Sequence, residues 1–378
     1  MELNNLNLYN EVNNFNSNED ELNDIQENDY ETIEEELENR IYDESIYNFN
    51  YIYNYFKINK IFLSEIRCPN CNNNMILIKN NASLDRVIFR CRKNNPNHDC
   101  KITIRKNSFL EDIRMNLISI FFFIFDCYLF NLSANKALIE FEKSKTKISV
   151  EDVSLVNIQK LYRLLRNKIK IEMHKEWRNN KLGHQPSSGG VPRLEIDESK
   201  ILGNINKIYW MFGIIDRASG DCRVFCVLDN RAKESLLPLV IQNVATIDDI
   251  KGNNYNSNEE LHKYCLSTRI YSDCWSAYQF NDFKQKGFYL HRVNHSIWFG
   301  SGLFHTNNIE GLWAQIKRLS NNFAGINFNL LVKLEQKGID SKDYLDGWIC
   351  NSLFFRICEK KKLNRFEKIK LLLKYLKI

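Results

Sequence analysis

Three acidic residues stand where a carboxylate needs a reason. Asp197 lies inside the apolar run Leu194-Glu195-Ile196-Asp197-Glu198, Asp273 closes the run ending Tyr271-Ser272, and Glu310 opens a helical pattern. Burying an unpaired charge is expensive, and three converging carboxylates repel one another unless cations sit among them. Hard oxygen ligands with open positions suit Mg²⁺ or Mn²⁺. Two such ions about 4 Å apart can activate a water or a 3′-hydroxyl and stabilise the leaving oxygen of a phosphodiester. Lys317 follows Glu310 by seven residues, which puts it about 20° around a helix and roughly 10 Å along its axis, facing the same charged substrate. Each acid also has a quieter explanation. Asp197 can cap a turn, Asp273 can be the N-cap of a helix at Trp275, and Glu310 can be the third-position partner of Asn307 in a capping box. His291, His295 and His305 can touch a phosphate or shuttle protons; satisfied core or turn positions explain the first two better, and His305 lies beside the carboxylates.

A second group suits a softer ion. Cys68-Pro-Asn-Cys71 is a knuckle that turns two thiolates toward one point; Cys91 follows after 19 residues and Cys100 after eight more. Four thiolates around a tetrahedral Zn²⁺ would staple a module too small to bury its own core. The wide second spacing leaves His98 as the alternative to Cys100 for the fourth ligand. Lys79, Arg86, Arg90, Arg92, Lys93, Lys101, Arg105 and Lys106 make this module basic, which suits phosphate, as it also suits a solvated surface.

Composition agrees with a polyanionic partner. Of 52 basic and 47 acidic residues, one basic and 15 acidic fall in residues 1–44; the rest of the chain holds 51 and 32, a net of +19. A basic body points to nucleic acid. The acidic arm is a solvated tail or an intramolecular competitor for that surface. Asn runs reflect coding bias and carry no functional reading. Met1 is followed by acidic, Asn-rich sequence rather than a signal peptide, so the expectation is a protein that is not secreted. Eleven cysteines in that setting read as thiols or metal ligands. The greasiest run, Leu117–Phe130, is shorter than a bilayer span and contains Asp126; a buried helix is expected, and no membrane partner.

The elements that must position these residues follow in order. Residues 1–55 read as an acidic, Asn-rich disordered arm and 60–108 as a zinc ribbon. Residues 109–180 read as a helical DNA-binding region, with helices over Leu110–Leu132, Ala134–Phe141 and Val153–Trp177. The last is rich in Lys160, Arg163 and Arg166, and the helices resemble a helix-turn-helix or form a plain spacer. Residues 181–192 hold two of the five prolines and read as a linker. Beyond them the period changes to strands at 193–202, 207–216, 222–228, 269–272 and 289–293, with helices at 233–244 and 275–283. Ile309, Leu312, Trp313, Ile316 and Leu319 form the apolar stripe of a further helix. Residues 193–322 therefore predict an α/β domain with a mixed sheet and flanking helices, and 323–378 a basic helical C-terminal segment.

EIDESKI (195–201), WMFGIIDR (210–217), YSDCWSAY (271–278), GF…VNHS (287–296) and HTNNIEGLWAQIK (305–317), taken together and in this order, resemble the ISXO-two-like transposase domain of the DDE superfamily. The resemblance covers about a third of the chain, more weakly the ribbon and helices before it. It implies a ribonuclease-H-like fold and DNA strand cleavage and transfer at the ends of a mobile element. It also implies Asp197, Asp273 and Glu310 as ligands of two Mg²⁺ or Mn²⁺ ions and Lys317 as a substrate contact. Related elements place an Asn third, which makes Asn307 a rival to Glu310. The implied partners are element-end and target double-stranded DNA and a second copy of the chain. The implied location is the nucleus in a eukaryote, or the DNA of the cytoplasm otherwise. Two other readings remain: a decayed element protein that binds DNA without cutting it, and a cellular metal-dependent nuclease.

Overall fold

The uninterrupted apolar run in KIYWMFGIID forms a strand paired on both edges, where apolar residues are needed at successive positions. A computed structural model describes residues 49–92, 98–145, 147–148, 150, 153–183, 191–203, 207–228, 231–246, 268–294, 305–321 and 326–377. The chain divides into two compact units, Met1–Leu161 with Arg365–Ile378, and Tyr162–Asn364. Among the described residues no helix is long and apolar enough to cross a membrane.

The first unit begins with α1 (Phe49–Ile58), which buries Ile52, Tyr53, Tyr55 and Phe56. This helix falls partly inside the segment expected to be a disordered acidic arm, so residues 49–55 are a correction to that reading; the arm up to residue 48 lies outside the described residues. Strands β1 (Ile76–Lys79), β2 (Val87–Cys91) and β3 (Cys100–Thr103) form an antiparallel sheet in that order. Arg105 is not a phosphate contact. It is buried, its Nε donates to Asp85 at 2.7 Å, and its other nitrogens reach the carbonyls of Ile113 and Met115 at 2.6 and 2.7 Å. A guanidinium with every side satisfied can be buried; left half-paired it could not.

The hydrophobic run over 110–132 is shorter as a helix than its composition suggests. Asn116 accepts from the Ser119 amide at 2.7 Å and starts α2 (Leu117–Phe122) there; the chain then widens into a π-helical stretch, Phe123–Tyr128. Ser133 caps α3 (Ala134–Ser144), as its type predicts. Helix α4 (Leu155–Asn179) starts after Ser154, whose hydroxyl accepts from the Asn157 amide at 3.2 Å. The start signal read at Ser149 and Asp152 lies outside the described residues. Residues 145–154 separate α3 from α4, longer than the roughly three- to four-residue turn of a helix-turn-helix.

In the second unit β4 (Arg193–Gly203), β5 (Ile208–Asp216) and β6 (Cys222–Leu228) run antiparallel, while β7 (Arg269–Ser272) and β8 (Tyr289–Arg292) join β4 in parallel, giving the order β6-β5-β4-β7-β8. This is the mixed sheet that the sequence predicts. Helix α5 (Lys233–Asn243) and the short α6 (Phe280–Gln285) follow β6 and β7. The helix expected to begin at Trp275 starts only at Phe280, because residues 273–279 form a loop held by side chains. Helices α7 (Asn307–Leu319), α8 (Phe328–Gln336) and α9 (Ser341–Lys360) follow. The period of two along β4 sorts its residues. Leu194 and Ile196 enter a core with Phe212, Ile214, Val240, Phe283 and Leu290, whereas Glu195 and Asp197 face α7. Cys226 on the edge strand β6 donates its amide to the buried Asp346 of α9 at 2.6 Å, so a helix side chain occupies a donor that would otherwise be open at the sheet edge.

Candidate functional site

Asp197 sits in the middle of β4, opposite Gly213 of β5. The indole of Trp313 lies across that glycine: a Cβ built on Gly213 would stand 2.5 Å from the ring. The missing side chain lets Trp313 settle on the sheet and donate from Nε1 to Asp197 Oδ2 at 2.8 Å. Asp197 is pushed up to about 6. Burial is the main cause, opposed by the Trp313 and Glu198 hydrogen bonds and reinforced by the charges of Asp273 and Glu310. These three acids, spread over more than a hundred residues of sequence, therefore meet in one electrostatic neighbourhood.

Each of the other two is held by its own surroundings. Asp273 follows β7 and accepts the Trp275 amide at 2.9 Å; this bond closes a turn of loop 273–279 and caps no helix, because the next helix has Gln279 as its N-cap. Glu310 is exposed in the first turn of α7 and accepts from the Thr306 hydroxyl at 3.1 Å. The helix starts with Asn307 as its first residue and Thr306 as its N-cap. Asn307 is thus one place too late to cap, and the box between Asn307 and Glu310 does not form. Asn307 instead lines a polar hollow of about 240 Å³ with Asn308, Gly311, Gln315, Arg217 and Arg356. Its amide donates to His305 Nδ1 at 3.3 Å. Lys317 is half-buried two turns beyond Glu310. His291 stacks on Tyr271 and meets Tyr289 at a tilt, and burial, Arg269 and Arg217 lower its pKa; His295 lies outside the described residues.

Sequence reasoning passed over the two glutamates beside Asp197. Glu195 is fully buried. It receives Arg217 Nε at 2.7 Å, Asn308 Nδ2 at 2.7 Å and the Ile309 amide at 2.9 Å, and it lies 3.5 Å from His305 Nδ1. The N-terminus of α7 is therefore capped by a carboxylate from β4. Glu198, on the other face, receives the Tyr278 hydroxyl and lies 3.5 Å from Arg231; burial first, then Asp197 and Asp273, push it up to about 8. The available signal was alternation: two acids flanking a third in an apolar strand cannot all face water.

The metal group of the first unit is tighter. Among the described residues, Cys68, Cys71, Cys91 and His98 form the group whose ligand atoms all lie within 4.8 Å of one another, and it could hold a metal ion. The three carboxylates do not close to that distance. Cys68 Sγ is 3.3 Å from His98 Nε2, and Cys71 Sγ is 3.5 Å from Cys91 Sγ. Burial would raise Cys68, but the amides of Asn70 and Cys71 and the neighbouring thiols bring it down to about 7. His98, the alternative ligand, takes the fourth place. Cys100 pairs with Cys91 across β2 and β3; burial and the adjacent Cys68 raise its thiol.

The basic candidates are divided. Arg90 forms a two-point contact with Asp99 at 2.7 and 3.1 Å and, with Lys101, holds it down to about 2. Arg92 and Arg163 are exposed. Lys160 donates to the Asp112 carbonyl at 2.6 Å. Arg166 lies over the Trp348 ring at 3.4 Å, a packing role. Lys93 lies outside the described residues. No protein-family model matches the chain, and no curated protein matches it.

Proposed function

We propose that the protein is a DDE-type transposase, a metal-dependent enzyme that cleaves and transfers DNA strands at the ends of a mobile element, with a ribonuclease-H-like second unit. The observation that carries this reading is the meeting of Asp197, Asp273 and Glu310 from a central strand, the end of a parallel neighbour and a helix laid on the same sheet. The antiparallel trio extended by two parallel strands is a mixed sheet, and a mixed sheet with flanking helices is what the resemblance implies.

The donor set fits divalent ions. Asp197 is raised chiefly by burial and further by two neighbouring negative charges, which a cation would relieve. Asp197, Asp273 and Glu310 would hold two Mg²⁺ or Mn²⁺ ions, which would supply charge neutralisation and an activated water or 3′-hydroxyl. The chain's own residues do the rest. Trp313 fixes one oxygen of Asp197 and so orients the carboxylate. Lys317, on the flank of α7 that carries Glu310, is placed to hold a phosphate. Glu310 takes the third place over Asn307, because its charge is felt at Asp197 whereas Asn307 lines a separate hollow.

In the first unit, a Zn²⁺ held by Cys68, Cys71, Cys91 and His98 would give the ribbon its stability. Ligand spacings of 3.3 and 3.5 Å approach the edge of roughly 3.8 Å that Zn–S bonds of ~2.3 Å set in a tetrahedron. Arg92 and Arg163 are exposed cations for the DNA backbone. Two element ends must be joined, so the working form is a dimer or larger assembly, nuclear if the host is a eukaryote. The test is strand cleavage and transfer on end-bearing duplex DNA with Mg²⁺ or Mn²⁺. Wild type is expected to cut and Asp197→Ala to fall to background; equal activity in both would sink the assignment.

A further inference from the structure

We infer that Glu195 and Glu198, the two acids flanking Asp197 on β4, are positioning residues, each holding the segment that carries one of the other two acids. The functional side of this inference rests on the reading above. Three carboxylates that repel one another do not stay together without opposing anchors, and their nearest neighbours in sequence are 76 and 37 residues apart. Both anchors come from the strand of the central acid. The period of two sends them to opposite faces of the sheet.

On the α7 face, Glu195 gathers the start of the helix. Its Oε2 accepts the Ile309 amide, and its Oε1 accepts Asn308 Nδ2 and Arg217 Nε. Arg217 in turn donates to the His305 carbonyl and lies over the Tyr271 ring at 3.8 Å. Ile309 immediately precedes Glu310, so a bond to its amide sets both the height and the rotation of the helix turn that presents the third acid. Trp313 registers the 13-residue helix to Asp197 one turn on; capped from β4, the first turn is registered to the same strand, two residues from Asp197.

On the opposite face, Glu198 gathers the loop after β7. It accepts the Tyr278 hydroxyl and pairs with Arg231. The Arg231 guanidinium lies between the rings of Trp210 and Trp275, at 4.1 and 4.0 Å, and the Arg231 carbonyl accepts Trp275 Nε1 at 2.9 Å. Trp275 gives its own amide to Asp273. Loop 273–279 is thus fastened to β4 at two points, and Asp273 is oriented by one of them. The stretch Glu195-Ile196-Asp197-Glu198 encodes a central acid and a mount for each of its partners.

The experiment uses the full chain and two substitutions, Glu195→Gln and Glu198→Gln, with Tyr209→Phe as a control. Tyr209 makes a buried bond to Ser341 at 2.7 Å and touches none of the three acids. Amide exchange reads the mounts without metal. Glu195→Gln is expected to speed exchange at Ile309 and leave Trp275 unchanged; Glu198→Gln is expected to do the reverse. Mn²⁺ titration followed by tryptophan emission reads the site. Each glutamine variant is expected to bind about 10- to 100-fold more weakly, as for lost ligand-supporting partners, with Tyr209→Phe unchanged. Uniform or crossed exchange effects overturn the inference, as does wild-type Mn²⁺ affinity in both glutamine variants. Selective exchange effects in a wild-type protein that binds no Mn²⁺ would keep the mounts and remove the functional reading. Should either glutamine variant fail to fold, Asn308→Ala and Tyr278→Phe each remove one donor from the same carboxylates and are read in the same way.

Discussion

The two candidate metal sites are built in opposite ways. The ribbon takes its ligands from 31 consecutive residues, Cys68 to His98, on a knuckle and around the end of one strand. Its ligand atoms already approach one another, because thiols and an imidazole can touch without a cation. The carboxylate site takes its ligands from three elements separated by long stretches of chain, and its members stay further apart. Local turns suffice for the first. The second needs buried supports, namely Trp313 from a helix and Glu195 and Glu198 from the central strand. Closeness without an ion is therefore a property of the ligand type, and not a measure of which site matters more.

The largest effect should come from the ribbon. Cys71→Ser removes a ligand from a module whose three short strands bury little core. Structural zinc contributes on the order of 10 kcal/mol, more than such a module can replace. Proteolysis should cut the variant within residues 60–108, and metal analysis should find the zinc lost; a protease-resistant, zinc-free variant would break the contrast. On the carboxylate side a smaller loss is expected from a single methyl group. Gly213→Ala drives a Cβ into Trp313 and should cost about 1–3 kcal/mol as overpacking, with a change in tryptophan emission as the indole leaves Asp197. Unchanged melting and emission would show that Trp313 is not seated as described.

A pH-dependent effect sharpens the comparison from a carboxylate outside both candidate sites. Asp346 is raised to about 7, chiefly by burial and against its bond from Cys226. A carboxyl raised in the folded state favours folding while protonated. Its contribution is complete below the unfolded value near 4 and is lost as pH rises through 7. Wild type should therefore lose stability between pH 4 and 8 relative to Asp346→Asn, which keeps an acceptor for the Cys226 amide and does not titrate. Denaturant melts across that range give the difference. Mn²⁺ should leave it unchanged, since Asp346 is neutralised by a proton; a Mn²⁺-dependent difference would merge the two behaviours.

Much of the second unit was legible because strand periods are short. The five strands fall within a residue or so of their expected limits, and the stripe from Ile309 to Leu319 is buried on α7. What stayed hidden depends on partners far away in sequence. Nothing near Arg105 announces that Asp85 and two carbonyls enclose it. Nothing around Asn307 reveals that a strand glutamate caps the helix in its stead. The choice of His98 over Cys100 turns on how β2 and β3 pair, which ligand spacing alone leaves open.

One feature of the chain path bears on how the protein is made. Arg365 opens α10 (Arg365–Leu376), pairs with Asp126 of the π-helical stretch and lies over the Phe125 ring at 3.6 Å. The first unit is thus written in two pieces with the whole of the second between them. During synthesis, the stretch that folds around the acids leaves the ribosome before the partner of Asp126 does. The ribbon-bearing unit, though begun first, is finished last, and for that interval its most greasy segment waits with an unpaired acid at its centre.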